Sequence, residues 1–435
     1  MPNDVIKNKP LEPTFSFDDL APNFMIKING KELSQDMLAL ISNVEVELEI
    51  GMVDSIKFDI ANLNLKTQFY PKGSTPPPVD RISDLTMFAE GNVVEVMAGY
   101  ADNLAFLCRG KIQNWLPDFP KDGAAVLKVQ ALGAAQEMLN PVPPKRDKNQ
   151  WRNKNYQDVI KSIGSQYGFD TSMVAAPRTV APKKGITLKP DVSDWDFIKE
   201  LASLNAYEFY VTYDPDKKKD VLFWGPPQPN KKPSYVLYYD NGDKTTLFSL
   251  EPEFSLTGQA AQFNVYGWDA KNNRVIVFRI MTTQAGEKYK WEGGSGAGNA
   301  ITKQIVHGDS VALGQFGTNI YVTASSTVNS EPEARAMANR ILALKRDAFL
   351  IAKGSTIGVE TIKPMQVHEL KGIGNRFSGK YYFRAVRHII AKEAYTTAFT
   401  ATLVPTTIPK EGAKSKALSV KPKRKRKKKK KNPWD

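Results

Sequence analysis

The sequence predicts a mainly β protein with an α+β insert: two barrel-like β domains, a smaller α+β unit between them and a disordered basic C-terminal tail. Three observations predict it. Apolar and polar residues alternate with a period of two over residues 21–140 and again over 251–408, the pattern of strands with one buried face. Between 141 and 250 the spacing becomes helical, after the polar, proline-rich stretch PVPPKRDKNQ at 141–150. Finally, the charge is concentrated at the chain end.

Residues 1–20 form an N-terminal extension; MPNDVIKNKPLEPTF has no apolar core and does not read as a signal peptide. The first β domain spans 21–140. Phe24 to Gly30 is a strand ending in Asn-Gly, a strong hairpin signal. Val44 to Ile50 and Ile56 to Ile60 alternate. KGSTPPP at 72–78 is a loop, because consecutive prolines cannot supply ladder donors. Strands at Val93–Met97, Leu104–Ile112 and Ala125–Leu132 complete the domain.

The α+β unit spans 141–250. Tyr156 to Tyr167 reads as a short amphipathic helix. A second helix covers Ser193 to Leu204, with Ser193 as cap, Asp196 three residues on, and Trp195, Ile198, Leu201 and Ala202 on one face. Tyr207–Tyr213 and Val221–Trp224 form a hairpin. In the second β domain, 251–408, strands at Phe263–Trp268 and Arg274–Phe278 precede a glycine-rich loop. A capped helix is expected over 330–346, then strands near Met365–His368, Lys380–His388 and Tyr395–Leu403. The strand order around 94–132 resembles that around 365–403, with Phe106, Gly110 and Lys111 corresponding to Phe377, Gly379 and Lys380, so the two β domains read as repeats.

Catalytic, cofactor and metal sites are not expected. The three histidines have no His or Cys at ligand spacing. GGSGAG at 293–298 lacks the lysine–hydroxyl ending of a phosphate loop. Asp194, Asp196 and Glu200 read as helix-start and solvated carboxylates rather than hydrolase acids. The sole cysteine, Cys108, lies in an alternating apolar stretch and reads as a buried thiol. No apolar run approaches the roughly 18 residues needed to span a membrane.

The net charge of +14 resides mostly in residues 411–435, where twelve Lys/Arg and two acids give 12 − 2 = +10, leaving +4 for the rest. Lys421, Lys423, Arg424, Lys425, Arg426, Lys427, Lys428, Lys429, Lys430 and Lys431 form a run that cannot fold alone. It suits electrostatic binding to an acidic protein or to nucleic acid, or it is a solubilising terminus. No aromatic residue interleaves the run, so it offers no stacking platform for bases.

Two stretches resemble the phage late control gene D family, tail-hub proteins related to the N-terminal part of type VI secretion spike proteins. The first is Ser193, Asp194, Trp195 and Phe197 leading into the aromatic strand Tyr207–Val211. The second runs from Gly267 in Asn264–Asp269 through Glu333-Ala334, Gly354, Pro364, Gly374, Phe377, Gly379, Tyr381 and Val386-Arg387-His388 to Tyr395. Met365 stands where the family often has glycine. The resemblance implies tube-type barrels, two per chain, so that a homotrimer forms a pseudo-sixfold ring adapting a sixfold tail tube to a threefold spike. It implies a structural baseplate hub in a contractile phage tail or related injection system, assembled in the host cytoplasm. Implied partners are the tail tube protein, a separate spike protein, and tape-measure and baseplate wedge proteins, without cofactor, metal or membrane. Trp195 and Phe197 read first as core of their own unit, with inter-domain packing as the alternative. Two rival readings are a nucleic-acid-binding protein acting through the basic tail and a tail-associated cell-wall hydrolase.

Overall fold

The structure is a computed structural model. It describes residues 21–65, 80–140, 151, 154–177, 186, 192–254, 262–269, 272–284, 300–308, 320–324, 330, 333–335, 337–338, 341, 350–374, 377–391 and 393–404. The basic run 421–431, the prolines at 76–78 and the GGSGAG loop lie outside them.

The chain opens with β1 (Pro22–Ile28), which turns at Asn29 and Gly30 into the short β2 (Lys31–Glu32). Both turn residues have positive φ, 51° and 77°, as a tight hairpin turn with right-handed twist requires. After α1 (Gln35–Ala39) come β3 (Ile41–Glu49), β4 (Ser55–Ala61), β5 (Val93–Tyr100), β6 (Asn103–Asp118) and β7 (Val126–Leu132). The alternation in β3 places Val44, Val46 and Leu48 in the core. The strand expected to end at Ile112 is β6, which runs on to Asp118.

The middle unit holds α2 (Tyr156–Gln166), α3 (Asp194–Asn205) and the hairpin β8 (Glu208–Asp214) with β9 (Lys219–Gly225). Then follow β10 (Val236–Tyr238), β11 (Leu247–Phe254), β12 (Gln262–Asp269), β13 (Arg274–Gln284), β14 (Ala300–Gly308) and β15 (Ile320–Ala324). The chain closes with β16 (Leu350–Ile357), β17 (Val367–Lys371), β18 (Gly379–Ala391) and β19 (Tyr395–Leu403).

Two barrel-like domains were expected; no sheet among the described residues closes into a barrel. Both β regions belong to one open thirteen-stranded sheet, in the order β11-β16-β19-β18-β3-β4-β7-β6-β5-β1-β2, with β17 and β10 branching from β18. The physical reason lies at β3. Its second edge, which a barrel would use to close on its own first strand, pairs antiparallel with β18 from Ala385↔Glu49 to Ala391↔Asn43. Alternation reports that one face is buried; it does not report where an edge finds its partner. The strands at 262–284 also leave the large sheet. They form a separate four-stranded sheet, β14-β13-β12-β15, on which Ala334 and Ala338 of the helical residues pack against Val265, Ile276 and Phe278.

The repeat is present in the topology. In chain order, β1, β3, β4, β5, β6 and β7 make one six-strand module and β10, β11, β16, β17, β18 and β19 the other, and both pair first–fourth–fifth–sixth–third–second. The ladders agree in sense except at the first strand, where β1–β5 is antiparallel and β10–β17 parallel. Irregularities fall at matching places: Ser42 in β3 and Phe248 in β11, Gln113 in β6 and Arg384 in β18. In this register Lys111, opposite Val93, matches Tyr382, opposite Val367. The sequence pairing of Gly110 with Gly379 was therefore two residues out of step. The four-stranded sheet is inserted between β11 and β16, where module one has only the turn at 50–54.

Module two reaches into the core of module one: Ile390 and Tyr395 join its apolar cluster. Tyr100 donates its hydroxyl hydrogen to the Gly358 carbonyl at 3.0 Å, and a Cβ on Gly358 would lie 2.2 Å from the Tyr395 ring. Gly358→Ala is expected to force that ring out of place and cost about 1–3 kcal/mol, read as a lowered chemical-denaturation midpoint.

Candidate assembly interface

The joint between β18 and β3 is where the two modules meet. One edge of β18 is shared: Gly379–Tyr382 pairs with β17, and from Ala385 onward the same edge serves β3. The bulge at Arg384 marks the change of partner. It aims Arg384 at the middle unit, where its guanidinium donates to Glu208 Oε1 at 3.1 Å while the Tyr382 hydroxyl donates to Glu208 Oε2 at 2.5 Å. The Ile50 amide donates to the Arg384 carbonyl at 3.0 Å, so the bulge also holds the turn after β3.

Across the joint one face is apolar: Val386, His388 and Ile390 lie opposite Leu48, Val46 and Val44, all buried. The other face carries Arg387, whose guanidinium lies 2.7 Å from Glu47 Oε1. His388 is buried at the centre of the joint. Its Nε2 lies 3.1 Å from the Ile362 carbonyl, which can only accept, so Nε2 carries the proton. Nδ1 then accepts from the Tyr395 hydroxyl at 2.9 Å and the Thr397 hydroxyl at 3.2 Å. Burial holds the imidazole down to about 4, with Lys363 adding to the effect. His368, stacked on Tyr235 and tilted against Phe383, is held down to about 3 by burial alone.

The other residues singled out from the sequence fall elsewhere. Ser193 caps α3, accepting from the Asp196 amide at 3.0 Å. Asp194 is buried and accepts from the Tyr167 hydroxyl at 2.8 Å. Trp195 packs on Phe209 and Phe197 stacks on Trp151, both inside the middle unit's core. Gly267 pairs with Ile276 in the four-stranded sheet. Gly374 has φ 79° in the turn before β18, a conformation that suits glycine. Gly379 opens β18, and the Tyr381 hydroxyl donates to the Phe377 carbonyl at 2.7 Å. Only Gly379, Tyr381 and His388 share the joint's strand. Cys108 is buried, and burial pushes its thiol well up. Among the described residues no His, Cys, Asp and Glu cluster could hold a metal, and no helix is long and apolar enough to cross a membrane.

Sequence reasoning passed over the end of β6. Trp115, Leu116 and Phe119 are exposed there, as is Phe248 on β11. The adjacent apolar pair Trp115-Leu116 was a signal: in a strand it puts a large apolar side chain on each face.

A family model described as the Alg8 N-terminal domain matches residues 18–392, most of the chain. The chain belongs to that family. No curated protein matches the chain in sequence. Its fold, across most of its length, is that of phage tail proteins. The 43 kDa tail protein of prophage MuSo2 from Shewanella oneidensis superposes with a TM-score of 0.58 at 10% identity, covering 88% of this Alg8 N-terminal domain member and 98% of that protein. The tail protein from Neisseria meningitidis MC58 gives 0.56 at 11% identity, covering 88% and 96%.

The buried imidazole fixes a pH dependence. Unfolded His388 takes a proton near pH 6.5, whereas the folded residue holds it off to about 4. Its contribution is complete above about 6.5 and is lost as pH falls from there toward 4. Denaturation from pH 7.5 to 4.5 is expected to show an acid loss that His388→Gln reduces by up to about 3 kcal/mol, part of the remainder belonging to His368.

Proposed function

We propose that this chain is a structural hub subunit of a contractile phage tail or related injection machine, three copies forming a ring that adapts a sixfold tail tube to a threefold spike. The supporting observation is the duplicated six-strand module, with matching strand order and matching bulges, on the fold of phage tail proteins. Two like modules per chain let three chains present six similar units to the tube while keeping threefold symmetry for the spike. The function is geometric, with no turnover. The tail tube protein and a separate spike protein are the first partners; tape-measure and wedge proteins are the next. In this reading the basic run 421–431 is a contact for an acidic surface of one of them.

The mass of the purified full-length chain by light scattering tests it. A species near three times 48.5 kDa is expected, unchanged when residues 411–435 are removed. A dimer would break the threefold match and sink the proposal. Salt-sensitive binding to DNA that disappears with the same truncation would favour the nucleic-acid reading instead.

A further inference from the structure

The joint inside the chain has two unfilled counterparts, and the bulge register tells where they are. The topological counterpart of β3 in module two is β11, and that of β18 in module one is β6. Inside the chain, the fifth strand of module two (β18) pairs with the second strand of module one (β3). The remaining fifth strand is β6 and the remaining second strand is β11. Beyond Ile112, among the described residues, β6 has no strand on its β5 side, and β11 ends the sheet with an open outer edge.

Burial follows the same logic. Val386, His388 and Ile390 of β18 are covered by β3, whereas their matches Trp115 and Phe119 are exposed and Pro117 is only partly buried. Val44 in β3 is fully buried; its counterpart Leu250 in β11 is only partly so. Backbone donors and acceptors along an open edge invite another strand.

We propose that the 114–119 segment of one copy pairs antiparallel with the outer edge of β11 of a second copy, repeating between chains the joint that β18 and β3 make within one. The inference rests on the hub reading and names the contact that would close its ring. Carrying over the register of the internal joint sets Trp115 opposite Phe254, Leu116 opposite Glu253, and Phe119 opposite Leu250. Trp115, Pro117 and Phe119 alternate onto one face, as do Pro252 and Leu250 on the partner strand. An apolar face thus meets an apolar face, as Val386 and Ile390 meet Leu48 and Val44 inside the chain. On the opposite face Asp118 falls opposite Glu251, and each of these two acids has a lysine beside it: Asp118 lies 3.2 Å from Lys128, and Glu251 is opposite Lys353. Pro117 faces Pro252, so each edge lacks one donor, which limits pairing with unrelated strands. The contact is head-to-tail, the kind that generates rings.

Cross-linking tests the register. In a full-length chain whose sole cysteine is removed (Cys108→Ala), Leu116→Cys and Glu253→Cys would sit directly opposite, at the roughly 4.5–5.5 Å Cα spacing a disulfide accepts. Mild oxidation is expected to give a ladder ending at three chains. Each single variant should stop at two chains or fewer, and Leu116→Cys with Glu251→Cys should link poorly. Leu116→Glu with Phe119→Glu, both exposed positions, should dissociate the oligomer at least tenfold more readily while leaving Tm within a few degrees. A trimer by light scattering without the 116–253 link would overturn this joint and leave the hub reading standing. Links running past three chains would uphold the joint and overturn the hub reading. A monomer that never cross-links would overturn both.

Discussion

The shared edge of β18 is the constraint from which the rest of the architecture follows. A strand edge is a row of backbone donors and acceptors that must find partners or water. β18 gives the first part of one edge to β17 and the remainder to β3, and that division fuses two six-strand modules into a single sheet. A regular strand could not change partner so abruptly. The bulge at Arg384 turns the strand, and its side chain, redirected toward Glu208, ties the turning point to the middle unit. Glu208 is buried, so removing either partner would strand polar groups away from water.

The middle unit is held to module one in the same manner. Arg109 of β6 lies over the Tyr213 ring at 4.6 Å and reaches within 3.9 Å of Asp220. At the adjoining turn, burial pushes Asp54 up to about 7 despite hydrogen bonds from Tyr210 and Thr212. The hairpin β8–β9 therefore touches both modules through buried or half-buried polar groups. Such contacts fix orientation more than they add stability, because desolvation offsets much of their attraction.

Local structure was largely legible in the sequence; edges were not. The Asn29-Gly30 turn, the Ser193 cap and the alternation of Val44, Val46 and Leu48 each follow from interactions within a few residues. The joint depends on β3 meeting a strand more than 300 residues later, and nothing in Val44–Ile50 specifies that partner. A closed barrel and an open fused sheet demand the same alternation, which is why the barrel expectation failed. The repeat was visible as an order of strands, but its register was missed because glycines were matched, whereas the bulges at Gln113 and Arg384 set the alignment. β6 was cut short at Ile112 because alternation falters where both faces of the strand carry apolar side chains.

The covalent tie between the modules has an energetic consequence. Within a chain, β18 and β3 meet at the high effective concentration that a linked pair enjoys, so their association costs little translational entropy. Two separate chains have no such advantage and must compensate with stronger contacts. The side chains differ in that direction. Where the tethered seam uses Val386 and Ile390, the end of β6 and the residue just after it offer Trp115 and Phe119, larger groups that remove more apolar surface from water when covered. In the proposed ring, duplication followed by divergence at matched positions would leave this asymmetry: a light seam where the chain itself holds the halves together, and a heavier one where only surface complementarity can.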